Sequence, residues 1–162
     1  MSRPDVSLEG LDVSAYTIPT DRPESDGTLE WDSTTVVVAE ARGGGTAGLG
    51  YTYGSTAVAT LIDDKLAAVV KDRDAMDVGA TWEAMGAEIR NAGRPGVGMM
   101  AVSAVDIALW DLKARLLGLP LVDLLPVRTR PSPSTAAAGS ARTRSNCCRS
   151  SWADGGHTAS RE

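Results

Sequence analysis

Apolar residues at Ala101, Ala104, Val105, Ala108, Leu109, Leu112 and Leu116 keep the spacing of a helix with one buried face. Asp111 and Arg115 stand four apart on the polar side, in the acid-to-base order that supports a helix. Gly118 is suited to a left-handed cap, and Pro120 prevents continuation. Two earlier stretches share this periodicity. Val58, Leu61, Ile62, Leu66, Val69 and Val70 mark a helix with Ser55 as N-cap, and Val78, Trp82, Met85 and Ile89 mark a second, begun by Asp77 and closed by Gly93.

The first part of the chain reads differently. Residues 11–18 alternate loosely and predict a strand, and residues 34–40 are apolar and β-branched, a second strand. Residues 42–46, rich in glycine, predict a turn, and residues 47–53 a third strand, so the second and third form a hairpin. Residues 20–32, with Pro, Asp, Ser and Gly, predict a polar loop. The expected class is α+β: a three-stranded antiparallel β-meander, then a three-helix bundle, over residues 11–125. Residues 1–10 are expected to be a flexible N-terminus. Residues 126–162 lack helical or strand periodicity and are rich in Arg, Ser, Ala and Thr, a composition that predicts a disordered tail.

Charge sharpens this division. In the tail, Arg128, Arg130, Arg142, Arg144, Arg149 and Arg161 face only Asp154 and Glu162, about +4, which leaves about −9 of the net −5 for the first 125 residues. An acidic body argues against general nucleic-acid binding. No run spans a bilayer and residues 1–10 hold no apolar signal core, so a cytoplasmic protein that does not enter membranes is expected. Cys147 and Cys148 are adjacent, which disfavours a bridge between them, and they lack the second ligand pair of a zinc site. His157 is the one histidine, which excludes a multi-histidine metal site within one chain.

The order Ala-x-Ser-Ala-Val-Asp-x-Ala-Leu-x-Asp-Leu-x-Ala-Arg, followed by Pro-Leu-x-x-Leu-Leu, spans residues 101–125. It resembles the first signature of the mandelate racemase/muconate lactonizing group of the enolase superfamily. Thr-Thr-Val-Val-Val-x-Glu-Ala at residues 34–41 and Gly-Leu-Gly-Tyr-Thr-Tyr-Gly at 48–54 resemble the mandelate racemase branch. The likeness covers residues 11–125 and departs at Pro126, where the family often has Gly.

The resemblance implies the superfamily's N-terminal capping domain. Intact members abstract the proton α to a carboxylate, and a divalent ion, usually Mg²⁺, stabilises the charge that develops. The metal ligands and the base belong to a C-terminal barrel of on the order of 200 residues or more. No catalytic residue, metal ligand or cofactor is therefore assigned to this chain, and Mg²⁺ is expected only for an intact relative. Asp63 and Asp64 are adjacent on a predicted helix and point in different directions, and Asp106 and Asp111 on the signature helix are read as solvated or interdomain groups.

Two cap segments imply substrate contact in an intact relative. One is the 20–31 segment, with Asp21, Arg22, Glu24, Ser25 and Trp31, in which Arg22 suits a carboxylate or a polar sugar oxygen. The other is the stretch around Tyr51 and Tyr53. Without a barrel, the plainer reading of both is solvated loop residues and tyrosines capping a sheet edge. The expected partner is an enolase-superfamily barrel or paralogue, and intact relatives are expected to be homo-oligomers.

The tail carries one further expectation. Freely chosen codons for residues 131–142, read in the neighbouring frame, give Val-Pro-Val-Tyr-Gly-Ser-Gly-Gly-Phe-Cys-Ser. That string resembles the family's first barrel strand, at the place where it should follow. Residues 126–162 are therefore expected to be a frameshift product, and the chain a truncated enzyme.

Overall fold

The computed structural model describes residues 5–125. The expectations placed on residues 126–162, disorder and a shifted frame, lie outside the described residues. Three strands, β1 (Leu8–Ser25), β2 (Glu30–Gly43) and β3 (Thr46–Tyr53), form one antiparallel sheet in the order β1-β2-β3. Gly44 and Gly45 join β2 to β3 with φ of 58° and 74°. Two successive positive φ values suit the right-handed twist of a tight hairpin, and glycine takes them without steric cost.

Helices follow in the predicted order. A first run begins with α1 (Thr56–Leu61), passes through a π-helical segment (Ile62–Leu66) and ends with α2 (Ala67–Val70). Its fully buried residues, Val58, Ile62, Leu66 and Val70, recur every four positions. A regular α-helix of 3.6 residues per turn would rotate such a row off the core. The π segment, in which the Ala67 N–H reaches back to the Ile62 carbonyl, widens one turn and keeps the row facing inward. The sequence predicts a helix here but not this interruption.

The α3 helix (Val78–Glu88) is capped by Asp77, whose carboxylate accepts from the Ala80 N–H at 3.1 Å. Ser55 likewise accepts from the Ala57 N–H at 3.3 Å, and both caps stand where the sequence puts them. Trp82, counted with the apolar face of α3, is nearly half exposed, and Thr81 is buried instead, its hydroxyl donating to the Asp77 carbonyl. The α4 helix (Val97–Leu117) starts four residues before the predicted Ala101 and stops at Gly118 in the left-handed conformation. A short α5 (Leu121–Leu124) closes the described chain.

The core lies between the inner face of the sheet and the helices. Val37, Ala39 and Ala41 of β2 meet the small-residue face of α4, Ala101, Ala104, Val105, Ala108 and Leu112, all buried. The contact is unusually close at β3. A Cβ on Gly48 would lie 2.3 Å from the Ala108 carbonyl oxygen, and one on Gly50 2.0 Å from that of Ala104. Glycines two apart share one strand face, so the α4 backbone rests directly on the backbone of β3.

Two local expectations are corrected. Residues 8–10, assigned to a flexible N-terminus, open β1, and Leu8 is buried. The Leu8 N–H donates to the Arg73 carbonyl at 2.8 Å, the Asp72 N–H to the Leu8 carbonyl at 2.9 Å, and the Ala75 N–H to the Val6 carbonyl at 2.8 Å. These partners are distant in sequence, and local composition does not register them. Residues 20–32, read as a loop, are mostly a β-ribbon that prolongs β1 and β2, with the turn itself confined to residues 26–29.

Candidate functional site

Polar and proline-rich sequence makes the ribbon irregular. The β1–β2 register is regular to Pro19↔Ser33 and resumes at Glu24↔Trp31, so residues 20–23 face Asp32 alone. Pro19 and Pro23 supply no N–H to the ladder, and β1 is an edge strand, where proline and bulges are tolerated. Asp21 and Arg22 thus stand on a bulge, exposed, and line a hollow with Pro19, Thr20, Pro23 and Glu24. Arg22 is in no ion pair among the described residues. The Thr20 hydroxyl is buried there without a hydrogen-bond partner.

Beyond the bulge the ribbon is clamped twice. The Trp31 indole N–H donates to a Glu24 carboxylate oxygen at 3.0 Å. At the tip, Asp26 Oδ1 accepts from the Thr28 hydroxyl at 2.6 Å and from the N–H groups of Thr28 and Leu29 at 2.9 and 3.0 Å. These bonds, led by that from the Thr28 hydroxyl, hold the Asp26 carboxyl down at a pKa of about 2. Gly27, with φ of 90°, permits the turn. Ser25 lies at this tip, beside Gly27, Thr28, Leu29 and Glu30.

Tyr51 and Tyr53 sit elsewhere. They project from the same face of β3, edge to face, with ring centroids 6.2 Å apart. Tyr53 is paired with Val36 across β2, five residues from Trp31, which separates the two rows by about 16 Å at the usual strand rise. The structure therefore gathers Asp21, Arg22 and Glu24 in one hollow, links Trp31 to Glu24, sets Ser25 at the tip and leaves the tyrosines on a separate facet. The sequence reading missed Thr20 and Asp26. The Asp-Gly-Thr triplet at residues 26–28 was the available signal for the turn.

Asp111 is a tether rather than a solvated group. Its Oδ2 accepts from the Leu49 N–H and from the Arg115 guanidinium, each at 2.8 Å, and so fastens β3 to α4. Asp106, also on α4, is half-buried, and burial pushes its carboxyl above the ordinary carboxylate value. Lys113 donates to the Met76 carbonyl at 2.8 Å and lies 5.0 Å from the centre of the Trp110 ring. Among the described residues no group of three or more His, Cys, Asp or Glu is placed to hold a metal ion. No described helix is long and apolar enough to cross a membrane.

A meander of three strands, a helical bundle laid on one sheet face and a protruding ribbon define an α+β domain. The family model for the mandelate racemase / muconate lactonizing enzyme N-terminal domain matches residues 17–126. The chain belongs to that family, within the enolase superfamily, through its N-terminal domain. A mandelate racemase/muconate lactonizing enzyme-like protein from Rubrobacter xylanophilus superposes with a TM-score of 0.72 and 67% identity, over 74% of this chain and 33% of that one. An L-talarate dehydratase from Polaromonas, complexed with Mg and L-glucarate, gives a TM-score of 0.66 and 28% identity, over 74% of this chain and 35% of its own. A 3,6-anhydro-alpha-L-galactonate cycloisomerase from Streptomyces coelicolor is 36% identical over 122 residues, 70% of this chain and 33% of that protein. The chain thus spans about a third of the length of these relatives.

Proposed function

We propose that the chain is the capping, substrate-selecting domain of a mandelate racemase-like enzyme that acts on a hydroxy acid or acid sugar, by racemisation, epimerisation or dehydration. By this reading it is a cytoplasmic capping domain, inactive alone. The 67% identity to the Rubrobacter protein, confined to about a third of that chain, carries the reading. Four of the similar structures contain magnesium. In an intact enzyme the metal and the base come from the barrel.

The ribbon would be the part of the cap that meets substrate. It projects beyond the helix-backed sheet and offers the Arg22 guanidinium on a bulge, with Asp21 and Glu24 as acceptors for hydroxyl groups. Such an element excludes water and sorts ligands without entering the chemical step. Its two clamps, Glu24–Trp31 and the Asp26 turn, limit the entropy lost when it closes. Tyr51 and Tyr53, on another facet, would reach substrate only from the side of β3.

The experiment is a chimaera in which residues 1–125 replace the matching third of the Rubrobacter protein. The chimaera is expected to turn over an acid from a panel of aldonic and aldaric acids with Mg²⁺, and the free chain to turn over none. Arg22→Ala and Trp31→Ala should raise KM by about tenfold, the loss of one charge-assisted contact. Turnover by the free chain would overturn the assignment. An active chimaera indifferent to both substitutions would remove the ribbon from substrate selection.

A second reading is supported by exposed apolar residues on α4 and beyond it, Met100, Ile107, Leu119, Val122 and Leu125. Such surface seeks cover. In this reading the cap docks, without catalysis, on a barrel made as a separate chain or on an intact paralogue. Co-purification with the isolated barrel of the Rubrobacter protein is the expected result, and its absence ends this reading.

A further inference from the structure

A cleft of about 570 Å³ opens between the first helical run and the turn that leads from α3 into α4. None of its lining residues belongs to the ribbon or to β3. One wall is a single face of the helical run, where Thr60, Leu61, Asp64 and Lys65 follow at the spacing of successive turns. Asp64 and Lys65 stand on the π segment. Pro95 and Val97 form the other wall, with the backbone of Gly93 and Gly98. A largely apolar hollow of this volume, with a few polar groups at its edge, has the size of a small-molecule site.

The turn that makes the second wall is held in place. The Gly93 N–H donates to the Ile89 carbonyl at 3.1 Å, and the N–H groups of Met99 and Met100 donate to the Arg94 and Gly96 carbonyls, each at 3.0 Å. The Arg94 Nε donates to the Gly86 carbonyl at 3.3 Å. A Cβ on Gly98 would lie 2.2 Å from the Gly93 carbonyl oxygen, so the turn closes directly on the start of α4. Walls fixed before binding leave little ordering to be done by a ligand.

The polar groups of the cleft select the charge of its occupant. The Thr60 hydroxyl donates its proton to the Thr56 carbonyl at 3.3 Å, which leaves its oxygen free to accept. Asp64 lies four residues on, along the same face, and its carboxylate has no hydrogen bond or ion pair among the described residues. Lys65, the one cation of the lining, lies 3.9 Å from a Glu88 carboxylate oxygen, which offsets its charge. Two acceptors and an uncompensated negative charge thus border the apolar hollow. An ammonium group, with donors and no acceptor, is their complement. The acidic body, about −9 over the first 125 residues, draws cations to it.

We propose that this cleft binds a small organic ammonium, a primary amine on an apolar body. The ammonium sits between Asp64 and Thr60, and the body lies against Leu61, Pro95 and Val97. The site is separate from the capping role and needs no barrel to form.

Titration of the isotope-labelled full chain with hexylammonium chloride, followed by amide chemical shifts, tests this. Saturable shifts are expected at Thr60, Leu61, Asp64, Gly93 and Gly98, with a dissociation constant of about 1 mM, as befits a ligand of few atoms. Binding should weaken as salt is raised, because the ion pair is exposed. Asp64→Asn should weaken it by about fivefold or more. Ala57→Leu, which fills the hollow from α1, should remove the saturable shifts. Both positions are exposed and outside the core, so the thermal midpoint should not move. If the Asp64 variant misfolds, Ala57→Leu carries the test. Hexanol and hexanoate, with the same body and no positive charge, should give no saturable shift at these residues. A failure of hexylammonium to saturate, an equal response to hexanol or hexanoate, shifts confined to other residues, or undiminished binding by a folded variant each overturns the proposal.

Discussion

Gly48 and Gly50 leave room that the α4 backbone fills. A methyl group at position 50 would have to displace a carbonyl oxygen of that helix, which has no rotamer with which to yield. Gly50→Ala should therefore cost about 3 kcal/mol or more, at the severe end of overpacking, read as a lower urea midpoint with the slope unchanged. Gly45→Ala, in open space but at positive φ, should cost about 1 kcal/mol. Asp106 presents the opposite case. Its folded pKa is raised by burial, so the folded state favours the proton and stability is lost as pH rises through that raised value. Asp106→Asn should melt at or above the wild-type temperature at pH 7, with the gap closing as the pH falls towards 4.

The ribbon depends on its tip more than on its strands, because its outer pairs are few and broken by a bulge. Asp26 anchors the tip, and its lowered pKa fixes the sign of the pH effect. The contribution is present above the ordinary carboxylate value and is lost as the pH falls through about 2. Amide shifts of Thr28 and Leu29 should titrate together with that midpoint, and hydrogen exchange at Glu24 and Trp31 should quicken over the same range, while Ala39 stays protected. A midpoint near 4 would mean that the turn does not hold the carboxylate. The π segment in the first helical run shows the same dependence on tertiary packing: four-residue spacing of buried side chains demands a wider turn only because a sheet lies beneath it.

Taken together, residues 5–125 bury one continuous core, from Leu8 and the inner sheet face through α4 to Val58, Ile62 and Met85. No gap divides sheet from helices, so unfolding should be a single transition. Amide protons of β2 and α4 should show the same urea midpoint, and separate midpoints would indicate that the bundle and the meander fold independently. Only the inner sheet face contributes to this core. The outer facet and the exposed side of α4 add little to the stability of the lone domain.

The sequence by itself determined the element types, their order and the family. Period 3.6 around Ala101–Leu116, an apolar β-branched run at residues 34–40 and paired glycines at a hairpin are local properties, each legible in a short window. Ser55, Asp77 and Gly118 were legible as caps for the same reason: a cap acts within its own turn. The tertiary structure alone decided what depends on distant partners. Leu8 is ordered by the 72–75 loop, the ribbon by pairing that resumes past two prolines, and Asp111 by an amide 62 residues away in sequence. It also fixed the distance between the tyrosines and the ribbon residues, two segments that the sequence reading had named without placing them relative to each other. Strand register assigns faces and distances, and register is fixed by the whole sheet rather than by any one strand.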